Sequence, residues 1–486
     1  MMGHVVALDF GATSGRVILG EVARDHLRMS THGRFANRPV SVNGRLHWDV
    51  LSLWQGALDG LAAALREAPD VSSIATDTWG VDYGLLRNGM LLANPTHYRD
   101  ERTNDVVDRV QSKLSHPEQY ARAGIQFMPI NTIYQLAVEA EGDMLGLADT
   151  ALLMPDLFTY WLSGEQAAER TMASTTGLMD VHTREWSDEL LAVAGVPAGL
   201  LAPLVDPGTR VGPLRADVAR QVRASSRMEV VAVGSHDTAS AVAAVPMQAG
   251  AAAFISCGTW GLVGVESEHP VVTDEARELG FTNEAGVDGH ILLMHNVMGL
   301  WILSETVRGW EAAGEQISLP ALIAAASAVT AEVPVVDVND ARFLPPGDMP
   351  ARIAAWCSER GIRPPQTQAE IARCIIESLA QAFADAALRA GRIGGVDVQT
   401  VHIVGGGSQN ELLCQRTADR AGLPVLAGPV EATALGSVLV QARTMGHIDG
   451  TLDSLRVLVR RTHAPVRFDP RWAGETRWLT SSPCSH

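Results

Sequence analysis

The chain has 486 residues, of which 47% are hydrophobic and 19% charged, a composition that buries large cores and predicts two or three domains. Its formal net charge of −17 argues against a general nucleic-acid binder, because such proteins need a basic field. Lys113 is the one lysine, and it lies outside any Gly-Lys-Ser/Thr or strand-lysine motif, which excludes a Walker-type phosphate loop and a protein kinase. The start of the chain lacks the pattern of a signal peptide, and we expect a cytoplasmic protein.

The first predicted elements form a strand–turn–strand unit. Residues 5–8 are a short apolar run that ends at Asp9, residues 11–15 are a turn of small residues, and residues 17–22 resume the apolar run. A glycine turn lets backbone N–H groups and small hydroxyls approach phosphate oxygens, and Arg16 adds positive charge. Asp9 stands where a carboxylate could hold water on Mg²⁺. The unit is either a phosphate-binding hairpin or an ordinary tight hairpin.

Polar residues at the end of the next predicted strand are candidates for sugar binding. The strand begins at Ile74 and runs into Asp77, Trp79, Gly80 and Asp82. An aromatic face packs on the C–H side of a sugar, while carboxylates and backbone groups bind its hydroxyls. The alternative is a strand, a turn and one packed tryptophan. A helix around residues 53–66 is predicted before this segment, and a hairpin that turns at residues 88–89 is predicted after it.

A second polar group follows a predicted strand at residues 230–233. His236 and Asp237 stand there at the start of a helix rich in small residues. As a general base, Asp237 would take the proton of a substrate hydroxyl during phosphoryl transfer, which depends mostly on positioning and charge stabilisation. As a structural residue, it would cap the helix N-terminus. Spacing alone leaves both interpretations open.

The uncharged stretch at residues 238–265 is long enough to suggest a membrane span. It contains Pro246, Gln248 and many small residues, which favour a helix end and a loop. We therefore expect no membrane span, and we place the boundary between the two halves of the chain near Pro246.

The second half repeats the organisation of the first. Residues 251–257 predict a strand, residues 258–261 a glycine turn, and residues 262–265 a further strand. Residues 401–404 predict a strand that leads into a third glycine turn at residues 405–407. Three separated glycine turns suit one long nucleotide.

The clearest predicted helix covers residues 369–390. Thr367 and Glu370 form a capping box at its start, and Gly391 is expected to end it. Residues 333–366 are rich in proline and charge and predict an irregular excursion with one short helix. Asn296 is expected to be the N-cap of another helix.

These motifs resemble the FGGY family of carbohydrate kinases over nearly the whole chain. The glycine turns are general to that family. The runs Asp77-Thr-Trp-Gly-Val-Asp82 and Ser235-His-Asp-Thr-Ala-Ser240 are specific to the members that phosphorylate L-rhamnulose. The other matching runs are Ala7-Leu-Asp-Phe-Gly-Ala-Thr-Ser-Gly-Arg16, Tyr98-Arg-Asp-Glu-Arg-Thr103, Gly124-Ile-Gln-Phe127, Leu153-Met-Pro-Asp156, Gly258-Thr-Trp260, Asn296-Val-Met-Gly-Leu-Trp301, His402-Ile-Val-Gly-Gly-Gly407 and Gly428-Pro-Val-Glu-Ala-Thr433.

The resemblance implies an α/β fold of two duplicated domains of the actin and hexokinase (ribonuclease H-like) type, with the active site in a cleft between them. The implied ranges are 1–245 for an N-terminal domain with the sugar site, the first phosphate loop and the catalytic Asp, 246–460 for a nucleotide-binding C-terminal domain, and 461–486 for a tail. The implied reaction uses ATP and Mg²⁺ to phosphorylate the C1 hydroxyl of L-rhamnulose, giving L-rhamnulose 1-phosphate in L-rhamnose degradation. The implied partners are these small molecules, without nucleic acid or membrane, in a monomer or small homo-oligomer.

The resemblance also assigns roles to single residues. Asp237 matches the catalytic base, and Asp9 matches a residue of the Mg²⁺ site. Ser304 departs from the family pattern, because comparable members carry a longer glutamine near the nucleotide at this position. The matched ATP positions are Ala12, Thr13, Ser14, Gly15, Arg16, Thr259 and Gly406. The substrate positions are Gly80, His236, Asp237, Thr238 and Asn296, together with Trp79 from the strand-end pattern.

Two other functions stay open at this point. Another FGGY ketose kinase, acting on xylulose or fuculose, would share the phosphate turns and differ around Trp79 and His236. A non-catalytic actin-like ATPase or sugar sensor would share the glycine hairpins without needing Asp237. Cys357 and Cys374 could form a disulfide, although reduced thiols are the expectation in a cytoplasmic enzyme.

Overall fold

The computed structural model describes residues 2–224, 227–248 and 250–471. The strands found in them are β1 (Gly3–Phe10), β2 (Ser14–Ala23), β3 (His26–Ala36), β4 (Pro39–Val42), β5 (Arg45–Trp48), β6 (Ser73–Thr78), β7 (Tyr83–Arg87), β8 (Met90–Leu91), β9 (Thr150–Leu153), β10 (Ala168–Glu169), β11 (Leu204–Val205), β12 (Arg210–Pro213), β13 (Glu229–Val231), β14 (Ala252–Cys257), β15 (Trp260–Ser267), β16 (Phe281–Ala285), β17 (Ile291–Met298), β18 (Thr400–Val404), β19 (Val425–Ala427) and β20 (Val466–Phe468).

The α-helices are interleaved with these strands, as expected for an α/β fold. They are α1 (Val50–Glu67), α2 (Val107–Lys113), α3 (His116–Ala123), α4 (Thr132–Glu141), α5 (Met144–Leu147), α6 (Met154–Ser163), α7 (Arg170–Ser174), α8 (Asp188–Ala194), α9 (Ala216–Val222), α10 (Asp237–Ala243), α11 (Asp274–Glu278), α12 (Trp301–Ala312), α13 (Leu319–Ala328), α14 (Met349–Glu359), α15 (Gln368–Gly394), α16 (Glu411–Ala421), α17 (Ala432–Thr444) and α18 (Leu452–Thr462).

The chain divides into two compact units, neither of which is one continuous segment. The first unit consists of Met1–Ala249, Glu266–His295 and Glu431–Ala464, and the second of Gly250–Val265, Asn296–Val430 and Pro465–His486. The division by a single cut near residue 246 stays a prediction. The tail predicted from residue 461 begins inside α18 and includes β20, which pairs with β19, so this part of it is structured. Residues 472–486 lie outside the described residues.

The main sheet of the first unit has the order β12-β13-β6-β1-β2-β3, with β13, β6 and β1 parallel and β2 antiparallel to β1. Side chains alternate between the two faces of a strand. Val6 and Leu8 of β1 accordingly lie in a buried cluster with α1, while Val5 and Ala7 lie in another with α17. Helices cover both faces, which explains why the sequence of β1 is continuously apolar up to Asp9.

The second unit repeats this topology. Its strands follow the order β15-β14-β18-β19-β20, in which β14, β18 and β19 are parallel and the other two are antiparallel to their neighbours. This is the pattern of β2-β1-β6-β13-β12 in the first unit. The prediction of two duplicated α/β domains is therefore confirmed.

Most predicted elements near the glycine turns are present, and two boundaries are wrong. The capping box of Thr367 and Glu370 starts α15, but the helix continues past Gly391 to Gly394 and ends at Gly395, whose φ is 67°. Gly391 is needed for packing instead, because a Cβ there would come within 2.9 Å of the Val396 carbonyl oxygen. The predicted irregular segment 333–366 contains α14 as its single α-helix.

Asn296 is the second wrong boundary. It does not cap a helix, because it lies inside β17, and the N-cap of the following helix α12 is Leu300. The pairing of β17 with β16 extends the strand as far as His295, which the local sequence does not reveal.

No helix in the described ranges has the length and apolar character needed to cross a membrane. The uncharged stretch 238–265 instead contains most of α10, all of β14 and most of β15.

The close packing of α10 against α17 depends on Gly436. A Cβ at this position would overlap the backbone carbonyl of Ser240 on α10. Gly436→Ala is therefore expected to lower the free energy of unfolding by about 2–3 kcal/mol through overpacking, as measured by chemical denaturation. Gly146→Ala on α5 is the matched control, because a Cβ there meets nothing within 4 Å. Equal stability of the two variants would contradict this account of the packing.

Candidate active site

Three carboxylates gather at the carboxyl edge of the parallel strands in the first unit. Asp9 on β1 lies directly opposite Asp77 on β6 in the sheet register. Asp237 follows β13 and opens α10, and the strand end of β6 is joined to the preceding residues by a bridge between Thr78 and His236. Asp9 and Asp77 continue the alternation of Ala7 and Ala75, so both point to the α17 face of the sheet.

Asp9 is 2% exposed and forms an ion pair with Arg16, its cross-strand partner on β2, at 2.7 Å between Oδ2 and Nη2. Arg16 makes a second ion pair with Glu431, the residue that precedes α17. Burial raises the pKa of the Asp9 carboxyl, and the charge of Arg16 offsets this only in part. The arginine is thus held by two carboxylates beside the first glycine turn.

Asp77 is completely buried, and apart from a weak contact with the Ser437 hydroxyl its carboxylate oxygens have no hydrogen-bond partner among the described residues. Burial raises its pKa well above the ordinary range, and the neighbouring charges of Asp9 and Asp237 raise it further. A buried carboxyl group with so little hydrogen bonding is costly. Sequence reasoning considered Asp77 only as part of a sugar-binding pattern; the signal that relates it to Asp9 is their common position at the ends of neighbouring strands.

Asp237 is the first residue of α10, and the N-cap position is taken by His236, whose side chain makes no capping hydrogen bond. The structural interpretation of Asp237 as an N-cap is therefore wrong. About a third of the side chain (34%) is exposed, so a ligand can reach it. Desolvation by the surrounding protein raises the pKa of Asp237, and the His236 imidazole opposes that shift. Thr238 donates a hydrogen bond from Oγ1 to Asp237 Oδ1 at 3.3 Å.

His236 lies between two carboxylates. Its Nδ1 is 3.0 Å from Glu284 Oε2 on β16, and its Nε2 is 3.4 Å from Asp237 Oδ1. Burial lowers the pKa of His236, but the negative charges of Glu284 and Asp237 outweigh this effect and leave it above its ordinary value. Glu284 could not be found from the sequence, because it lies outside the recognised motifs, in a strand far along the chain from His236.

The backbone before Asp237 is fixed by a buried acidic residue. Glu169 accepts hydrogen bonds from the N–H groups of Ser235 (3.1 Å) and Thr171 (2.9 Å). The Thr171 hydroxyl in turn accepts from the N–H of His236 at 3.2 Å. Burial raises the pKa of Glu169 to about 7, although the hydrogen bonds from Thr171, Met172 and Ser235 counteract it.

The strand end around Gly80 is strained. Val81 has a φ of 70°, which is rare for a β-branched residue. Its carbonyl accepts a hydrogen bond from Thr132 Oγ1 at 2.7 Å, and its N–H donates to Thr175 Oγ1 at 3.3 Å. Gly80 also packs closely on Thr175, because a Cβ at this position would lie 3.3 Å from Thr175 Oγ1. Strain of this kind clusters at ligand sites.

Trp79 is 5% exposed and packs on Trp48, with ring centroids 4.0 Å apart. Both indole N–H groups donate to Asp82 Oδ2, at 3.0 Å from Trp79 and 2.6 Å from Trp48. Burial raises the pKa of Asp82 to about 6, against the hydrogen bonds from Gln135 and the two tryptophans. This packing supplies a structural role for Trp79, and its assignment as a sugar contact stays a prediction.

The predicted phosphate hairpin lies between β1 and β2. Its turn is closed by a hydrogen bond from the N–H of Gly11 to the carbonyl of Ser14 (2.9 Å), and Asn37 donates to the carbonyls of Gly11 and Thr13. Thr13 is exposed, and Ala12 and Ser14 are half-buried. Gly15 is buried, and a Cβ there would overlap the ring of Phe35, so packing accounts for this glycine.

The second unit brings the other two glycine turns to one sheet edge. Thr259 lies in the turn after β14, and Gly405 follows β18, whose Val404 pairs with Ser256 of β14. Gly405 has a φ of 80°, whereas Gly406 is exposed and a Cβ there would meet nothing within 4 Å.

The remaining candidates are placed as follows. Asn296 is half-buried near the end of β17, and Ser304 is exposed on α12. Cys357 and Cys374 are both free thiols, so the disulfide is not formed. Among the side chains described, no group of three His, Cys, Asp or Glu residues is arranged to hold a metal ion.

Comparison with known proteins gives the family. Residues 4–244 match the N-terminal domain of the FGGY family of carbohydrate kinases, and residues 253–445 match its C-terminal domain. The chain belongs to this family. The resemblance predicted from the motifs is confirmed, and this FGGY kinase is an ATP-dependent sugar kinase, a phosphotransferase with an alcohol acceptor.

Relatives of this FGGY kinase cover nearly its full length. A rhamnulokinase from Bacteroides thetaiotaomicron is 38% identical over 97% of this chain and 96% of its own. The crystal structure of a gluconate kinase from Lactobacillus acidophilus matches with a TM-score of 0.76 at 15% identity, over 97% of this chain and 94% of that one. A xylulose kinase from Rhodospirillum rubrum matches with a TM-score of 0.75 at 19% identity, over 96% and 94%. At these identities the two structures show a shared fold alone.

Proposed function

We propose that this FGGY kinase phosphorylates the C1 hydroxyl of L-rhamnulose to give L-rhamnulose 1-phosphate, with Asp237 as the general base. The observation that carries the proposal is the placement of Asp237, which is open to a ligand, lies beside His236 and shares a sheet edge with Asp9. The choice of ketose is supported by the 38% identity with a rhamnulokinase. The proposal includes a cytoplasmic location, where ATP is available, and a monomer or small homo-oligomer.

In the proposed reaction, Asp237 accepts the proton of the sugar hydroxyl as that oxygen bonds to the γ-phosphorus of ATP and ADP leaves. A carboxylate can do this only in its ionised form. The imidazole of His236 favours that form, because it is 3.4 Å away and carries positive charge when protonated. Gly80, Thr238 and Asn296 are proposed to contact the ketose together with His236.

The residues near the first glycine turn fit a bound Mg²⁺ ion. Mg²⁺ prefers hard oxygen ligands and keeps several waters. Asp9 supplies such oxygens, and the buried, poorly hydrogen-bonded carboxylate of Asp77 beside it is a second candidate. When bound with ATP, Mg²⁺ would neutralise phosphate charge. Arg16 is proposed to add positive charge there, with Ala12, Thr13, Ser14 and Gly15 forming the phosphate turn.

Thr259 and Gly406 in the second unit are proposed to bind ATP. Gly406→Ala adds a methyl group in open space next to the turn, so we expect the KM for ATP to rise about tenfold, the usual cost of a misplaced methyl group in a binding site. Thermal stability should be unchanged.

Gly309→Ala on α12 is the matched control for Gly406→Ala, since it is also exposed and meets nothing within 4 Å. An unchanged KM for ATP in Gly406→Ala would remove this glycine from the nucleotide site.

A ketose panel tests the proposed function. Purified protein is assayed with L-rhamnulose, L-xylulose and L-fuculose, with ADP formation detected by a coupled enzyme. The highest kcat/KM is expected for L-rhamnulose. Equal or better kcat/KM on another ketose would reassign the substrate, and ATP binding without transfer to any sugar would favour a non-catalytic sensor.

A further inference from the structure

The contacts of Glu284 connect it to the proposed base through a single side chain. Glu284 and His236 are each 8% exposed in their side chains, whereas Asp237 is 34% exposed. In the row Glu284–His236–Asp237, the Asp237 side chain is therefore the one most exposed to solvent. A substrate hydroxyl can reach Asp237, while Glu284 lies behind the imidazole.

The geometry favours one protonation state of the imidazole. Both ring nitrogens of His236 face a carboxylate oxygen, Nδ1 at 3.0 Å from Glu284 and Nε2 at 3.4 Å from Asp237. Two carboxylate charges on opposite sides of the ring favour the imidazolium, in which both nitrogens carry a proton. With a neutral partner in place of Glu284, one of these two charges would be lost, and the neutral ring would be favoured.

The segment around α7 fixes the backbone on both sides of this row by hydrogen bonds. Glu169 and Thr171 bind the N–H groups of Ser235 and His236, as described above. Ser174 at the end of α7 accepts a hydrogen bond from the N–H of Ala285, next to Glu284, at 2.9 Å. The same short helix therefore fixes both sides of the contact between Glu284 and His236.

A stabilising role alone explains the pair poorly. A buried ion pair adds little net stability, because the desolvation of both charges offsets their attraction. The charged groups that act on His236 are Glu284 from β16, Asp237 from α10 and Glu169 before α7. Of these, Glu284 lies at the shorter distance from a ring nitrogen.

We propose that Glu284 is a positioning residue of the phosphotransfer site, which holds His236 as an imidazolium with its Nε2 facing Asp237. The inference rests on the proposed roles of His236 and Asp237. Glu284 itself touches neither substrate nor reacting atoms, and it acts only through the imidazole.

Glu284→Gln keeps the shape of the side chain and removes its charge. We expect kcat on the best ketose of the panel to fall about tenfold to a hundredfold, because the base loses its oriented neighbour, with a smaller change in the KM for ATP. Glu284→Asp, which retains the charge, should recover part of the rate. Unchanged kcat in Glu284→Gln would overturn the proposal.

Glu266→Gln is the matched control. Glu266 lies in the same unit, its side chain is 7% exposed, and it has an ion pair with the buried Arg456 at 2.6 Å. It should lose stability to a similar degree or more but keep its kcat, since it has no contact with His236. An equal loss of kcat in both variants would reduce Glu284 to a structural role and overturn the proposal.

Protonation of His236 is measured in the ligand-free protein, independently of any substrate. Imidazole ¹⁵N signals are followed by NMR against pH, with His236→Ala identifying the resonance. The titration midpoint of His236 should be lower in Glu284→Gln by about one pH unit or more, as expected for the loss of a neighbouring opposite charge. An unchanged midpoint overturns the proposal even if the ketose panel supports the proposed function. If the protein phosphorylates no ketose, the proposed function fails. The NMR result then still decides whether Glu284 controls the protonation of His236.

Discussion

Asp237→Asn is expected to lower kcat about a thousandfold, within the range of 10²–10⁴ that general base catalysis contributes. Asparagine keeps the size of the side chain but cannot accept the proton of the sugar hydroxyl. ATP affinity should stay nearly intact, because the side chain is proposed to face the acceptor. The measurements are steady-state turnover by coupled ADP detection and ATP binding by calorimetry.

Asp217→Asn controls for the position of Asp237 in the first turn of a helix. Asp217 lies in the first turn of α9, a helix of the same length as α10 in the same unit. Its loss should cost a few tenths of a kcal/mol at most through the helix dipole, with turnover unchanged. Full turnover in Asp237→Asn would refute its assignment as the base.

Asp9→Asn is expected to lower kcat about a hundredfold to a thousandfold, the usual effect of removing one group that stabilises charge in the transition state. The neutral amide is a poor ligand for Mg²⁺ and also loses the ion pair with Arg16. The Mg²⁺ concentration needed for half-maximal activity should rise, which a magnesium titration of the rate measures.

Glu431→Gln separates the two effects of Asp9→Asn. It also removes an ion pair of Arg16, but Glu431 precedes α17 and is not a partner of Asp9 in the sheet. We expect a smaller loss of rate and an unchanged Mg²⁺ requirement. If both variants behave alike, Asp9 acts through Arg16 and not through the metal.

The sequence predicts the strand–turn–strand units well, because short apolar runs and glycine turns are local signals. The capping box at Thr367 likewise marks the true start of α15, whereas the end at Gly391 is wrong because a glycine inside a helix can also serve close packing. Asn296 lies in β17 beyond the last residue that pairs with β16, and β17 has β15 as its other neighbour in the sheet, a non-local contact that no window of sequence contains.

The candidate site divides in the same way. His236 and Asp237 belong to one motif and are found together. Glu284 contacts His236 because β16 packs beside α7, which lies close to the His236 backbone. Asp77 lies next to Asp9 because β1 and β6 pair in that register. Trp79 is buried against Trp48, a packing contact that the local pattern does not reveal, and its assignment as a sugar contact stays a prediction. The local sequence does not show which side chains pack against the back of the strand.

The three-segment composition of the first unit has a consequence for its biosynthesis. Gln441 on α17 accepts a hydrogen bond from the Ser73 hydroxyl at 2.8 Å and donates one to the Val6 carbonyl at 3.1 Å, and α17 covers one face of β1. A nascent polypeptide emerges from the ribosome N-terminus first. The contribution of α17 to that face of β1 can therefore form only after residues 432–444 have been translated, long after β1 itself has emerged.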